Sequence, residues 1–369
     1  SMNAPPGIAR VLRRESVLPI ALALGLIAFG AEHSLVGAGA SVAFAAAATI
    51  TLLIVAVSVR VARHAEFLAH KVGDPYGTMI LTLTAVLVEV VILAIIMSSE
   101  SSPTLVRDTI YSAVMIDING IIGLAALLGG LRHGEQPYND DSGRTYSVMI
   151  LTAMGISMIV PEFVPRERWH VYSVFTICAM LTLYGLFLRM QVGRHSSFFR
   201  YSYSLAKQEG DADAVHRHPP LTFSIGVIAA GVVVIGFLAE IMSTYLGAGI
   251  KSIGASLATV AVVVAAISAA PEILTALKAA LRNRMQAVIN IAMGASLSTV
   301  ILTVPAMEAL AIFNGQPLTM AMTPLQTVMV TLTLIAAAIN LNDGETNAIE
   351  GMTHFVLFSA FVVLTAIAA

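Results

Sequence analysis

Long apolar stretches separated by short polar ones run along almost the whole chain of 369 residues. Uninterrupted stretches of about 17–25 apolar residues have the length of membrane-crossing helices, and this pattern predicts eleven of them. They lie near residues 17–37, 41–62, 76–98, 105–131, 146–161, 170–190, 221–246, 253–278, 285–312, 323–340 and 347–368. The chain is therefore expected to be an all-α polytopic membrane protein.

The composition agrees with this prediction, since 57% of the residues are hydrophobic and only 11% are charged, against about 25% in soluble domains. The formal net charge of −2 gives no indication of nucleic-acid binding. No lysine follows a glycine, so the nucleotide-binding motif G-x-x-x-x-G-K-[ST] is missing from the sequence. We therefore expect the lipid bilayer and inorganic cations as partners, with no nucleic acid, no nucleotide and no cofactor.

Lysine and arginine indicate the orientation of the helices, because loops on the cytoplasmic side carry most of these residues. With eleven helices, 16 of the 20 Lys and Arg residues fall on the side of the N-terminus. This predicts a cytoplasmic N-terminus and a C-terminus outside. The four exceptions are Arg107, Arg166, Arg168 and Lys251.

An internal repeat divides the chain. Glu89 and Glu272 lie 183 residues apart, and adding 183 to the starts of helices two to six gives positions within about six residues of the starts of helices seven to eleven. Because five helices are an odd number, the second copy must be inverted in the membrane. The predicted regions are a tail and first helix (1–40), a first repeat (41–193), a cytoplasmic linker (194–220) and a second repeat (221–369).

The two repeat glutamates are the main candidate site residues. A carboxylate in the middle of a membrane helix costs roughly 2.5–3.5 kcal/mol, and such residues usually face a pathway or a partner. Inverted repeats bring Glu89 and Glu272 towards the midplane from opposite sides. We expect them to bind Ca²⁺ and protons.

Each glutamate helix is followed by a helix with a polar stripe. Residues four apart share one helical face, and oxygen-bearing side chains on that face are candidate cation ligands. The alternative is that these small polar residues only pack helices together. The candidates are Gln286, Asn290 and Ser298 in the second repeat, where Gly294 on the same face allows close approach of a backbone or an ion, and Asp108, Ser112 and Asn119 in the first, with Ser112 matched to Asn290.

Further oxygen donors are predicted near the glutamates. Pro271 lacks a backbone N–H, which frees the carbonyl of Ile267 as a candidate ligand. Carboxylate, amide, hydroxyl and carbonyl oxygens are the donors that Ca²⁺ and other hard cations prefer. Glu240 is a candidate auxiliary proton site, with a place in an outer vestibule or simple pairing as alternatives, and Asp117 lies off the polar stripe of its helix.

Two other residue types are expected to have no role. Cys178 lies in an apolar run and is interpreted as a buried small hydrophobe. His64 and His70 lie near the end of the second helix and are interpreted as surface residues.

Four stretches resemble the cation/proton exchangers of the calcium/cation antiporter superfamily, in particular its bacterial ChaA-type branch. These stretches are RHAEFLAHKVGDPYGTMILTLTAVLVEV, PTLVRDTIYSAVMI, APEILTALKAALRNRMQAVINIAMGASLSTVILTVP and HFVLFSAF. The resemblance covers nearly the whole chain. It implies a bacterial inner membrane protein with eleven helices and two inverted repeats.

The resemblance also implies roles for particular residues and helices, and the sequence differs from the family in one motif. It implies that Glu89 and Glu272 bind cation and proton, and that the first helix of each repeat, near 41–69 and 221–247, slides to switch access. Relatives carry an asparagine in G-N-A-x-E, whereas residues 85–88 and 268–271 contain none.

We interpret the sequence as a secondary antiporter that extrudes Ca²⁺, with Na⁺ and K⁺ as further candidates, in exchange for protons. One alternative is a cation channel, which would lack obligatory proton coupling. An intramembrane enzyme is a weaker alternative, because no paired Asp motif, Ser-Lys dyad or D-D-x-x-D run accompanies the glutamates.

Overall fold

The computed structural model describes residues 15–73, 76–193 and 219–368, and almost all of them are helical. The helices are α1 (Val17–Gly30, continued after Ala31 by Glu32–Gly37), α2 (Ala40–Val72), α3 (Tyr76–Glu100), α4 (Leu105–His133), α5 (Asp140–Phe163), α6 (Trp169–Val192), α7 (Leu221–Ile253), α8 (Ala258–Leu281), α9 (Met285–Asn314), α10 (Pro324–Asn340) and α11 (Ala348–Ala368). A 3₁₀ turn, Arg166–Arg168, precedes α6. Two short strands, β1 (Gln136–Pro137) and β2 (Glu345–Thr346), pair antiparallel.

Membrane-crossing helices dominate this architecture. Within the described ranges, nine helices are long and apolar enough to cross a membrane, and α1 and α10 are shorter apolar helices. The predicted all-α polytopic fold with eleven helices is thereby confirmed.

Several predicted helix boundaries are wrong. Helix α2 continues well beyond residue 62, through a polar segment that hydropathy does not detect, and ends where Gly73 has a φ of +79°. Helix α7 continues to Ile253, and α8 begins at Ala258 instead of 253. The chain turns between them at Gly254, whose φ of +70° is a left-handed conformation that glycine adopts without strain.

Corresponding helices of the two repeats have similar lengths. Helices α2 and α7 both have 33 residues, α3 and α8 have 25 and 24, and α4 and α9 have 29 and 30. A π-helical segment interrupts α4 at Met115–Ile122 and α9 at Thr299–Thr303. The boundaries of the four predicted regions stay a prediction, and the linker, except for Pro219 and Pro220, lies outside the described residues.

The first helices of the two repeats pack along each other. Gly231 of α7 lies against Val61 of α2, so closely that a Cβ on Gly231 would overlap the Val61 side chain. Ile54 and Val57 of α2 are fully buried near this contact. Small residues allow such close approach in membrane proteins, where dispersion contacts drive helix association.

A buried charged cluster joins the start of α1 to α2 and α7. Arg60 donates two hydrogen bonds to Glu15, of 2.9 Å from Nε and 2.5 Å from an Nη nitrogen. His64 lies between Glu15 (Nε2 to Oε1, 3.1 Å) and Ser224 (Nδ1 to Oγ, 3.1 Å). Burial raises the pKa of Glu15, but the hydrogen bonds and positive charge of Arg60 and His64 outweigh burial and hold that pKa below its ordinary value.

Two expectations about single residues are wrong. His64 is buried, with 1% of its surface exposed, because it takes part in this cluster. Cys178 is exposed, because it lies on α6, one of the helices with the smallest buried fraction. His70 is exposed, as expected.

Candidate functional site

A cavity of about 180 Å³ lies in the middle of the helix bundle. Its wall is formed by the two glutamate helices, α3 and α8, by the helices that follow them, α4 and α9, and by α5 and α6. Three carboxylates line it, those of Glu89, Asp117 and Glu272. Among the described residues of the wall, none is Lys, Arg or His, so no side chain there neutralises these carboxylates.

Glu89 is held by the opposite repeat. It is 2% exposed, and its Oε2 accepts hydrogen bonds from Thr299 Oγ1 (3.1 Å) and Thr303 Oγ1 (2.9 Å). Both threonines belong to the π-helical segment of α9. The other oxygen, Oε1, has no hydrogen-bond partner in the described part of the chain. It is therefore an open acceptor for a proton or a cation.

Asp117, which lies off the polar stripe predicted for α4, is a third carboxylate at the cavity. It lies in the π-helical segment of α4, is 3% exposed, and accepts a 3.2 Å hydrogen bond from Ser296 of α9. It follows Glu89 by 28 residues, much as Thr299 follows Glu272 by 27. That spacing, together with the rarity of a buried aspartate in a membrane helix, is the signal that marks Asp117 in the sequence.

Glu272 completes the set from the second repeat. It follows Pro271 inside α8 and lines the same cavity as Glu89 and Asp117. Three carboxylates in one small space cannot all remain ionised without a compensating charge, because like charges disfavour one another's ionised form. The arrangement favours binding of protons or of a cation.

The polar stripe of α9 is split between the cavity and a neighbouring loop. Asn290, Gly294 and Ser298 line the cavity, whereas Gln286 does not. Gln286 Oε1 accepts from the backbone N–H of Asn139 (2.6 Å), and its Nε2 donates to Ser142 Oγ (3.0 Å). Gln286 therefore fastens the start of α9 to the loop before α5.

This anchoring orients the amide of Asn290. Since Gln286 Oε1 accepts from Asn139, its Nε2 is the donor to Asn290 Oδ1, at 3.1 Å. Asn290 is 5% exposed, and its Nδ2 has no partner among the described residues. Asn290 thus has a free N–H donor, and its oxygen is already engaged. Ligation of a cation by that oxygen's second lone pair stays a prediction.

The stripe predicted on α4 lies outside the cavity wall. Asp108 accepts from Arg107 Nε (2.9 Å) and from Gln326 Nε2 (2.8 Å), and Ser112 Oγ donates to the carbonyl of Asp108 (2.7 Å). Asn119 contacts α10 and α11 instead. The reason is rotational, since Ala113 and Asp117, four residues apart on the neighbouring face, are the residues of α4 that line the cavity.

Two other candidates also lie outside the wall. Ile267 is 1% exposed, and its neighbour Ser268 lines the cavity in its place. Glu240 is exposed on α7 and is absent from the described lining residues. Their roles as a carbonyl ligand and an auxiliary proton site stay predictions that this conformation does not support.

The cavity extends to one side of the glutamates. It reaches Leu81 near the start of α3 and Gln191 near the end of α6. In the other direction along α3, Ile92, Leu93 and Ile96 are fully buried. The cavity is therefore one-sided.

In the described residues, no group of three His, Cys, Asp or Glu side chains is arranged to hold a metal ion.

A helical membrane protein with two inverted repeats and buried carboxylates at a one-sided cavity between them has the architecture of a secondary transporter. The chain belongs to the sodium/calcium exchanger protein family, whose model matches residues 42–193 and 223–367. This membership confirms the resemblance to calcium/cation antiporters.

Individual relatives cover most of the chain. It is 34% identical to y4hA of Sinorhizobium fredii over 312 residues, which are 82% of this chain and 84% of y4hA. It is 32% identical to the sodium-potassium/proton antiporter ChaA of Escherichia coli, again over 82% of this chain and 84% of ChaA. The crystal structure of the Ca²⁺/H⁺ antiporter protein YfkE has the same fold, with a TM-score of 0.74, 16% identity, and coverage of 95% of this chain and 97% of YfkE.

Proposed function

We propose that this protein is a secondary antiporter that exchanges a cation for protons across the bacterial inner membrane. The observation that carries the proposal is that Glu89, Asp117 and Glu272 line one cavity whose described wall contains no basic residue. The names of the relatives ChaA and YfkE, a sodium-potassium/proton and a Ca²⁺/H⁺ antiporter, support the same activity. The cation is Ca²⁺ in our proposal, with Na⁺ and K⁺ as further candidates.

Exchange follows from competition for the carboxylates. Each carboxylate holds either a proton or a share of the cation, so binding of one excludes the other. The empty site, with several ionised carboxylates in a medium of low dielectric constant, is costly. Conversion between inward-open and outward-open states therefore requires either the cation or protons to be bound, which enforces exchange and prevents leak.

The ligand set is a mixed one in this proposal. Glu89 Oε1 is the open acceptor on the first repeat, and Glu272 and Asp117 line the same cavity. Ser298 and Thr299 add hydroxyl oxygens to the same wall. Because no three His, Cys, Asp or Glu side chains of the described residues are arranged to hold a metal ion by themselves, water or backbone carbonyls supply the remaining oxygens that a hard cation requires.

The direction of opening follows from the predicted orientation. The starts of α3 and α9 and the ends of α6 and α8 lie on the side that carries 16 of the 20 Lys and Arg residues. We assign this side to the cytoplasm. The cavity near Leu81 and Gln191 then faces the cytoplasm, and the conformation is the one that loads the cation for extrusion.

Proton release from reconstituted vesicles tests the proposal. Acid-loaded proteoliposomes containing a pH-sensitive dye are given Ca²⁺, Na⁺, K⁺ or Mg²⁺ separately. Antiport predicts alkalinisation of the lumen by at least one cation, even with the membrane potential clamped, and no response in a Glu89→Gln protein. Cation uptake that proceeds without proton movement would instead identify a channel.

A further inference from the structure

A chain of buried hydrogen bonds lies behind the segment that carries Asp117. Asn119 of α4 donates from Nδ2 to Thr333 Oγ1 of α10 (2.7 Å). His354 of α11 contacts Asn119 Oδ1 through Nδ1 (2.9 Å). The three side chains are at most 2% exposed. These hydrogen bonds thus join α4, α10 and α11, and none of the three side chains lines the cavity.

The direction of each hydrogen bond follows from its neighbours. Thr333 Oγ1 donates to the carbonyl of Met329 (2.8 Å), so towards Asn119 it accepts. Asn119 therefore presents Nδ2 to Thr333 and its oxygen to His354, which requires a hydrogen on His354 Nδ1. The other ring nitrogen, Nε2, has no hydrogen-bond partner among the described residues. The hydrogen bond through Nδ1 is therefore the one that links His354 to Asn119.

Asn119 is well placed to control Asp117. Both residues belong to the π-helical segment Met115–Ile122. Two residues apart on a helix, their side chains leave on roughly opposite sides, one towards the cavity and the other towards α10 and α11. A π-helical segment contains an extra residue in the turn and is common at functional sites. Its register must be held by contacts from neighbouring helices.

Helix α11 lies close enough to provide such contacts. A Cβ on Gly123 of α4 would lie 2.8 Å from the backbone nitrogen of Phe355. Gly351 of α11 lies even more tightly against the backbone of Leu127. This close approach fixes His354 relative to α4, so the hydrogen bond to Asn119 has a rigid base.

We propose that His354 is a positioning residue that, through Asn119, holds the π-helical segment of α4 in the register that places Asp117 in the cavity wall. The proposal rests on the proposed function, in which Asp117 helps to bind the cation. His354 itself touches neither cation nor proton in this account. It acts as the partners of metal ligands do in other proteins, where their loss typically lowers metal affinity by about 10–100-fold.

Two amide substitutions distinguish the nitrogen atoms of the ring. The Nδ2 of asparagine is attached to Cγ, as Nδ1 of histidine is, so His354→Asn keeps the donor to Asn119. The amide of glutamine reaches the place of Nε2 instead, so His354→Gln loses that donor. We expect His354→Gln and His354→Ala to raise the apparent KM for the cation about tenfold, with the maximal rate changed less, and His354→Asn to stay close to the unmodified protein.

A double-mutant cycle with Asp117→Asn completes the test. KM for Ca²⁺ is measured in proteoliposomes for the single and combined variants, and thermal unfolding in detergent is recorded for each. We expect Asp117→Asn to raise KM, and His354→Gln to add almost nothing in the Asp117→Asn background. Comparison of His354→Asn with His354→Gln remains decisive if His354→Ala does not fold.

Two results would overturn the inference: equal KM values for His354→Asn and His354→Gln, or an effect of His354→Gln that is as large without Asp117 as with it. A failure of the underlying function looks different. If Asp117→Asn alone leaves KM unchanged, the role of Asp117 in the proposed function fails, whatever the His354 variants do.

Discussion

Thr303 in the second repeat donates a 2.9 Å hydrogen bond to Oε2 of Glu89 in the first repeat. The contact leaves Oε1 of Glu89 without a partner among the described residues. One oxygen is thereby fixed by the protein, and the other is free for a transported ion. Because the threonine and the glutamate belong to different repeats, relative movement of these helices would change the ligand geometry.

Removal of either repeat carboxylate should abolish exchange. Glu89→Gln and Glu272→Gln keep the shape of the side chain and an oxygen, but neither glutamine takes up the proton. We expect both proteins to fold and to have no cation-driven proton flux in proteoliposomes. Size-exclusion chromatography and thermal unfolding serve as folding controls. Substantial proton-coupled transport by either variant would contradict the carboxylate mechanism.

The hydroxyls of Thr299 and Thr303 should stabilise the charged form of Glu89. A hydrogen bond to a charged group contributes roughly 1.5–3 kcal/mol, so Thr299→Val and Thr303→Val should each raise the apparent cation KM about tenfold at fixed pH. Thr182→Val is a matched control, since Thr182 is exposed and bonds only to the carbonyl of Cys178 in the described structure. Equal KM values for Thr303→Val and Thr182→Val would show that the hydroxyls bonded to Glu89 do not contribute to cation binding.

The two residues matched in the polar stripes should behave differently. Asn290 lines the cavity, whereas Ser112 bonds to the carbonyl of Asp108 outside it. We expect Asn290→Ala to change the cation concentration dependence by a few-fold, in keeping with the loss of one hydrogen bond. Ser112→Ala should leave that dependence unchanged. If Ser112→Ala changed KM as much as Asn290→Ala, Ser112 would act in cation binding, as the predicted polar stripe implies, although it lies outside the cavity wall.

The Glu15 cluster should make stability fall in acid. The pKa of Glu15 is lowered in the folded protein, so the unfolded state binds its proton first as the pH falls. The contribution of Glu15 to stability is full above its unfolded pKa, about 4.3, and is lost as the pH falls through the lower folded pKa. The Glu15→Gln protein should therefore unfold at a lower temperature near neutral pH. Its unfolding temperature should also fall less on acidification than that of the unmodified protein. Parallel pH profiles for the two proteins would show that Glu15 does not contribute.

Apolar length predicts the helices, and the cost of a charge in a membrane, which is a local property, singles out Glu89 and Glu272, which the structure places at one cavity. The sequence predicts the remaining site less well. A period of 3.6 residues assumes a regular α-helix, whereas α4 and α9 each contain a π-helical segment at the cavity. A regular helix therefore predicts that Asn119 faces the cavity, whereas Asp117, on the adjacent face, lines it.

Contacts between distant segments account for other differences. Gln286 lies four residues before Asn290 on the same face of α9, yet it forms hydrogen bonds with Asn139 and Ser142 near the start of α5. His64 is buried because Glu15 and Ser224, far away in the sequence, converge on it. Neither arrangement leaves a periodic signal in the sequence, since both depend on how loops and helix ends meet in three dimensions.

The central claim is that cation and proton compete for the same carboxylates. It is tested most directly by the apparent KM for the cation in proteoliposomes with pH set independently on each side. Acidification of the loading side should raise KM while the maximal rate at saturating cation changes less, and acidification of the opposite side should speed turnover by helping the cation leave. With equal pH on both sides the rate should pass through an optimum above neutrality, which reports the coupled carboxylates together. A cation KM that is indifferent to pH on the loading side would contradict the account and would place the proton site outside the cavity.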